Sequence, residues 1–148
     1  MTETKKIDIL LVEDSRDDIL IAEEAFEKSE STNKKLHVVR DGAEALKFLR
    51  REGKYAQAPR PYLVLLDLNL PGKSGMEVLE EIKRDEGLMS IPVIVFSTSR
   101  AEKDVVNSYK LHANCYISKP FDFSRLVEVI RAIDQFWFSV VTLPKRVS

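Results

Sequence analysis

The chain has 148 residues, enough for one domain with a buried core and too few for two domains of typical size. Its 23 basic and 24 acidic side chains nearly cancel, so the net charge recruits neither nucleic acid nor an anionic membrane. The single cysteine, Cys115, excludes an internal disulfide, and the first apolar run ends at Val12, too early to span a membrane. We therefore expect one cytoplasmic domain over residues 1–148.

Short apolar runs of strand length alternate with segments of helical periodicity along the chain. Most of the runs are apolar at nearly every position, as expected for strands of a parallel sheet that is covered on both faces. The predicted strands are Ile7–Val12, Leu36–Val39, Tyr62–Leu66, Val93–Phe96 and Cys115–Ile117.

Helices are predicted between these strands. Three sites place an oxygen acceptor three residues before an acid, which is the pattern of a capped helix start; the acceptors are Ser15, Asp41 and Ser99. The last helix carries an apolar face made of Leu126, Val129, Ile130, Ile133 and Trp137. Residues 51–61 are predicted to form a long surface loop. The alternation predicts an α/β fold, a doubly wound five-stranded parallel sheet sandwiched by five helices.

Polar groups follow the predicted strands at the edge where such sheets bind ligands. These groups are Glu13, Asp14, Asp67, Ser97, Thr98 and Lys119. Crowded carboxylates repel one another and need a cation, and hard oxygen ligands suit Mg²⁺. A cation, an ammonium and a hydroxyl around one carboxylate form the arrangement that phosphoryl transfer to that carboxylate requires.

Three strings in the chain resemble the receiver domain of two-component response regulators. The strings are LLVEDS from Leu10, LLDLNLPG from Leu65 and KPF from Lys119. Their order and spacing match the family over residues 6–137, which implies the flavodoxin-like receiver fold. A narrower resemblance, to the small response regulators of cyanobacterial phytochrome kinases, is carried by Tyr62–Pro71, Leu111–Tyr116 and Phe136–Pro144.

The resemblance assigns chemical roles to the residues at the sheet edge. It implies that Asp67 is phosphorylated and that Lys119 pairs with the acyl phosphate. It also implies a Mg²⁺ ion held directly by Asp14 and Asp67, by the backbone carbonyl of Asn69, and through water by Glu13.

The resemblance also implies a conformational switch beside the acceptor. Ser97 matches the switch hydroxyl, which is more often threonine in the family, and Tyr116 matches the aromatic residue that changes rotamer with it. Thr98 stands where the family often has a smaller residue, which predicts narrower access to Asp67 and slower hydrolysis. The peptide bond before Pro120 is expected to be cis.

The expected partner is a histidine kinase, and the narrower resemblance implies one of the phytochrome type.

 

Neither a nucleic acid nor a membrane is expected as a partner. No DNA-binding or catalytic output segment is expected after the domain, so the signal passes by protein contact or by onward transfer of the phosphoryl group. Two alternatives remain open: a pseudo-receiver that binds partners without phosphorylation, and a Mg²⁺-dependent phosphohydrolase. The second is disfavoured because such enzymes usually carry an acid where this chain has Asn69.

The carboxyl-terminal segment is more apolar than one amphipathic helix requires. The aromatic run Phe136, Trp137 and Phe138 leads into an extension that spans residues 138–148. Part of it must pack on the domain or form a patch that binds a partner. We expect a homodimer through helices 4 and 5, strand 5 and this tail. His37, His112 and the basic pair at Lys34 are expected to be ordinary surface or loop residues.

Overall fold

The computed structural model of the chain describes residues 7–28 and 34–144. Within them, five parallel strands form one sheet in the order β2-β1-β3-β4-β5. The strands are β1 Ile7–Val12, β2 Lys34–Val39, β3 Leu63–Leu66, β4 Val93–Ser97 and β5 Cys115–Ser118. All five predicted strands are present, and their ends differ from the prediction by at most two residues.

Helices connect the strands, as parallel neighbours require. They are α1 Arg16–Glu27, α2 Gly42–Arg50, α3 Gly75–Arg84, α4 Glu102–Lys110 and α5 Phe123–Gln135. A π-helical turn, Phe136–Val140, extends α5. The predicted α/β sandwich of five strands and five helices is confirmed. No helix in the described ranges is long and apolar enough to cross a lipid bilayer.

The sheet divides the core into two clusters, one on each face. Leu10 and Val12 of β1 point into the cluster under α2 and α3, whereas Ile9 and Leu11 point into the cluster under α1 and α5. Successive side chains of a strand face opposite ways, so a sheet covered on both faces needs apolar residues at every position. The predicted face of α5 is also confirmed, and its residues Leu126, Ile130 and Ile133 are buried.

Two of the three predicted helix starts are confirmed. The Ser15 side chain accepts a hydrogen bond from the Asp18 amide, and Asp41 does the same for Glu44. The third prediction is wrong, because α4 begins after Ala101 and Ser99 lies in the loop, two residues before Ala101. The Ser99 hydroxyl accepts a hydrogen bond from the Ala101 amide, which belongs to the loop, and not from an amide in the first turn of α4.

Residues 51–61 are less open than the predicted surface loop. They include a short 3₁₀ turn, Gly53–Tyr55, and the Tyr55 ring lies 5.4 Å from the Phe48 ring, centroid to centroid. Pro61, two residues before β3, is buried. The loop therefore closes one side of the α2–α3 cluster, because its aromatic and proline side chains have apolar surface to bury.

Two polar residues of β2 are paired within the fold. The Lys34 ammonium lies 2.6 Å from Asp134 of α5, and its side chain is 2% exposed, so the prediction of a solvated lysine is wrong. The α5 carboxylate compensates the buried charge. His37 Nε2 lies 2.8 Å from the Asp8 carboxylate, whereas His112 is exposed beyond the end of α4.

The segment after α5 both packs on the domain and exposes apolar surface. Trp137 and Phe138 are half-buried against the α1–α5 cluster. Phe136 and Val140 are exposed. Pro144 lies near Pro61 at the amino ends of the strands, away from the predicted site, where both residues line a cavity of about 10 Å³. The rest of the tail, residues 145–148, lies outside the described residues.

Candidate functional site

The carboxyl ends of β1, β3 and β5 deliver Glu13, Asp67 and Lys119 to one edge of the sheet. Main-chain hydrogen bonds hold each of them: the Glu13 amide donates to the Val39 carbonyl at 3.0 Å, the Asp67 amide to the Val12 carbonyl at 3.0 Å, and the Lys119 amide to the Ser97 carbonyl at 2.7 Å. Parallel strands end at the same edge, so residues far apart in sequence meet there.

The Lys119 ammonium is the centre of the cluster. It donates to the Glu13 carboxylate, to Asp18 Oδ2 at 3.0 Å and to Asp67 Oδ2 at 3.4 Å. Lys119, Glu13 and Asp67 are all buried. Charged hydrogen bonds in such a site are strong, since little water competes for the donors and acceptors.

Burial and neighbouring charges shift the proton affinities of this cluster. Burial raises the pKa of Glu13 from 4.5 to about 7, Lys119 opposes this shift, and the charge of Asp67 adds to it. Burial alone would lower the pKa of Lys119, but the charges of Glu13 and Asp67 outweigh it and the net pKa is raised. The lysine is therefore a cation at neutral pH, and one ammonium faces several carboxyl groups.

The acceptor candidate, Asp67, is held by the backbone that follows it and by α3. Its Oδ1 accepts a hydrogen bond from the Asn69 amide at 3.2 Å. Gly75, the first residue of α3, donates from its amide to the Leu68 carbonyl at 3.1 Å. A Cβ atom at Gly75 would lie 2.3 Å from the Asp67 carbonyl oxygen. Only glycine allows this approach, a requirement that we did not predict from the sequence.

The structure distributes the predicted acids differently from the expectation. Asp14 is exposed, with Oδ1 3.8 Å from an Arg40 nitrogen, and no hydrogen bond joins it to Lys119. Asp18, expected only as a helix-cap acid, contacts Lys119 instead. The available signal was its place in the first turn of α1, because that helix starts at the site edge.

The predicted switch residues lie beside the cluster. Ser97 is fully buried, and its Oγ accepts a hydrogen bond from the Ser99 amide at 3.4 Å. The Tyr116 hydroxyl donates to the Ser99 carbonyl at 2.9 Å. Thr98 is exposed. No cis peptide bond occurs in the described residues, so the expectation of a cis bond before Pro120 is wrong; trans is the lower-energy isomer of most such bonds.

The donor set fits a hard cation that takes few protein ligands. Among the described residues, no three acid, histidine or cysteine side chains converge closely enough to hold an ion by themselves. Glu13 and Asp67 nevertheless present oxygen ligands beside the Lys119 ammonium. Asp14, adjacent to Glu13 in the chain, and Asn69, two residues after Asp67, are exposed. Mg²⁺ commonly takes one or two carboxylates and keeps several waters, so these residues suit it chemically.

The family model of the response regulator receiver domain matches residues 9–131. The response regulator Rcp1 of Synechocystis sp. is 47% identical over 136 residues, which cover 92% of each protein. The chain therefore belongs to the response regulator receiver domain family, whose members typically act as signalling switches and work with a histidine kinase.

Two solved structures are similar to this chain over almost its full length. The Mn²⁺-bound form of Rcp1 has a TM-score of 0.90 and 46% identity, covering 94% of this chain and 99% of that one. The phosphorylated cyanobacterial phytochrome response regulator RcpA has a TM-score of 0.92 and 50% identity, covering 95% and 100%. These matches confirm the predicted family and fold.

Proposed function

We propose that this chain is a cytoplasmic response regulator that accepts a phosphoryl group on Asp67 from a phytochrome-type histidine kinase in a Mg²⁺-dependent reaction. The observation that carries the proposal is the buried Lys119 ammonium, which contacts both Asp67 and Glu13 at the strand ends. The similarity to RcpA, described as a phosphorylated phytochrome response regulator, supports the partner, and the Mn²⁺-bound Rcp1 supports a divalent ion.

The chemistry is a transfer between a phosphohistidine and a carboxylate. A carboxylate oxygen of Asp67 attacks phosphorus, the phosphorus–nitrogen bond breaks, and its electron pair stays on the imidazole nitrogen. Lys119 is close enough to Asp67 Oδ2, at 3.4 Å, to stay beside the new acyl phosphate. The Asn69 amide orients the other carboxylate oxygen at 3.2 Å. The protein therefore positions the nucleophile and offsets the product's charge.

The ion would be held by Asp14, Asp67 and the backbone carbonyl of Asn69, with Glu13 acting through water. When bound, it supplies positive charge that offsets the negative oxygens of the phosphoryl group. Asp14 is free to turn toward it at little cost, since its pairing with Arg40 is exposed and long, and such pairs contribute about 0–1 kcal/mol.

Ser97 and Tyr116 are the residues proposed to transmit the effect of phosphorylation from Asp67 to the protein surface. The Ser97 hydroxyl moves toward the phosphoryl group and the Tyr116 ring follows. Both hydrogen-bond to Ser99 in the loop before α4, so a change in one reaches the other. The change is a population shift between two packings of one fold. The signal then passes by protein contact at the face formed by α4, β5 and α5.

The same face, with the tail, is the proposed homodimer interface. Its support is exposed apolar surface, made by Val106, Tyr109, Phe136 and Val140. Sedimentation at high micromolar concentration, with and without a phosphoryl mimic, tests the assembly. A monomer under both conditions contradicts it.

The phosphoryl acceptor is tested by intact-protein mass after incubation with acetyl phosphate and Mg²⁺. We expect a gain of one phosphoryl group that Asp67→Asn and EDTA both abolish. Asp17→Asn is the matched control, because it makes the same chemical change at an exposed acid of α1 outside the Lys119 cluster. Gain by Asp67→Asn contradicts the acceptor assignment. No gain by the wild type, from acetyl phosphate or from a phosphorylated phytochrome kinase, favours the pseudo-receiver.

A further inference from the structure

Helix α4 is attached to the domain with little apolar burial. Of its nine described residues, Glu102–Lys110, only Ser108 is buried. By contrast, α3 buries Val78, Leu79 and Ile82 in the core. Each such side chain contributes about 1.5–3 kcal/mol when fully buried. Because α4 lacks this contribution, its position depends more strongly on the hydrogen bonds at its ends.

The first end of α4 is tied to Tyr116 through the preceding loop. The Ser99 hydroxyl donates to Asp104 Oδ2, in the first turn of α4, at 2.6 Å. The Ser99 carbonyl in turn accepts the hydrogen bond of the Tyr116 hydroxyl at 2.9 Å. The side chain of one β5 residue therefore reaches the start of the helix.

The last turn of α4 is tied to the backbone of the same residue. The Tyr116 amide donates to the Tyr109 hydroxyl at 3.1 Å. β5 is an edge strand, and the Lys119 amide donates inward to the Ser97 carbonyl of β4. Because donors alternate along a strand, the Tyr116 amide points outward, where a second chain could pair with it. The Tyr109 hydroxyl accepts the hydrogen bond of this amide, so the amide is not available to a second chain.

We propose that Tyr109 is a positioning residue whose hydroxyl ties the last turn of α4 to the Tyr116 backbone, so that one residue of β5 holds α4 at both ends. The signalling consequence rests on the proposed function: if the Tyr116 side chain responds to phosphorylation of Asp67, the response reaches the first turn of α4 through Ser99, while the bond to the Tyr116 backbone holds the last turn. Tyr109 also leaves its ring half-exposed over the strand edge, so the same side chain shields β5 from pairing.

The test is Tyr109→Phe in the unphosphorylated protein, which keeps the ring and removes only the hydroxyl. By amide NMR we expect the Tyr116 proton resonance to move upfield and its hydrogen exchange to accelerate about five- to tenfold, as for loss of one hydrogen bond. Tyr55→Phe is the matched control, because its hydroxyl donates to Glu44 elsewhere on the surface. An unchanged Tyr116 amide in Tyr109→Phe overturns the proposal.

A second readout separates positioning from simple shielding of the edge. The amides of α4, Glu102–Lys110, should exchange faster in Tyr109→Phe than in the wild type or in Tyr55→Phe. If only the Tyr116 amide changes, Tyr109 shields the strand without positioning the helix, and the proposal fails. Neither readout needs phosphorylation, so a wild type that gains no phosphoryl group refutes the proposed function and leaves this result standing.

Discussion

Gly75→Ala tests whether the close contact between α3 and the Asp67 backbone sets both stability and reactivity. The added Cβ would lie 2.3 Å from the Asp67 carbonyl oxygen and 2.6 Å from Leu68 Cα. Both neighbours are backbone atoms, so the helix or the loop must move. Overpacking of this kind costs about 1–3 kcal/mol. The better helix propensity of alanine offsets at most about 1 kcal/mol.

We expect a net loss of about 1–2 kcal/mol in the free energy of unfolding. This lowers the urea midpoint by roughly 0.5–1 M, if the slope is about 2 kcal/mol per M. Displacement of Asp67 should also slow phosphorylation by acetyl phosphate about tenfold or more, because small misplacements of a nucleophile are costly.

Gly87→Ala is the matched control for this experiment. A Cβ atom at Gly87 would meet only the Asp85 carboxylate, at 3.3 Å, and that flexible side chain needs to move by only a few tenths of an ångström. We expect its unfolding free energy to stay within about 0.5 kcal/mol of the wild type, with unchanged phosphorylation. A Gly75→Ala protein that matches this control in both assays refutes the reasoning.

Three further outcomes are expected. Lys34→Met should lose about 3–5 kcal/mol in urea unfolding, because it leaves the Asp134 carboxylate buried without this cation, while Lys35→Met at an exposed neighbour should change little; equal losses contradict the pairing. Thr98→Ala should lose its phosphoryl group faster, measured by mass over time, and an unchanged rate removes the access argument. Lys83→Met should lose about 1–3 kcal/mol, because Lys83 donates to three oxygens. Burial lowers the pKa of Lys83 below 10.5, so the folded protein loses this proton at a lower pH than the unfolded chain does. The difference in unfolding free energy between the wild type and Lys83→Met should therefore grow as pH rises toward 10.5. A difference that shrinks over this range contradicts the prediction.

The fold was predictable because its signals are local. Each strand reads as an apolar run, since both faces of the sheet are covered, and α5 shows the apolar spacing of a helix packed on one side. The helix starts at Ser15 and Asp41 were equally local. The start of α4 was not, because the Ser99 hydroxyl has donors and acceptors available in the loop, and its choice depends on how the loop folds.

The candidate site was likewise predictable only in part, because some of its features follow from local sequence and others from tertiary packing. Glu13, Asp67 and Lys119 could be expected together from the sequence alone, because each follows a strand and parallel strands end at one edge. Only the tertiary structure decided that Asp18 contacts the ammonium while Asp14 turns to solvent. The place of Asp18 in the first turn of α1 puts it near the edge. Which of the two acids faces Lys119, however, depends on how α1 packs on the sheet.

Contacts between distant segments were likewise decided by packing. The sequence by itself determined which segments form strands and which polar residues follow them. That pattern was enough to indicate the family and the acceptor candidate. It did not determine that Lys34 meets Asp134, that Gly75 touches the Asp67 backbone or that Tyr109 reaches β5. These contacts join residues on different elements, and their distances follow from how the helices seat on the sheet, which depends on the whole core at once.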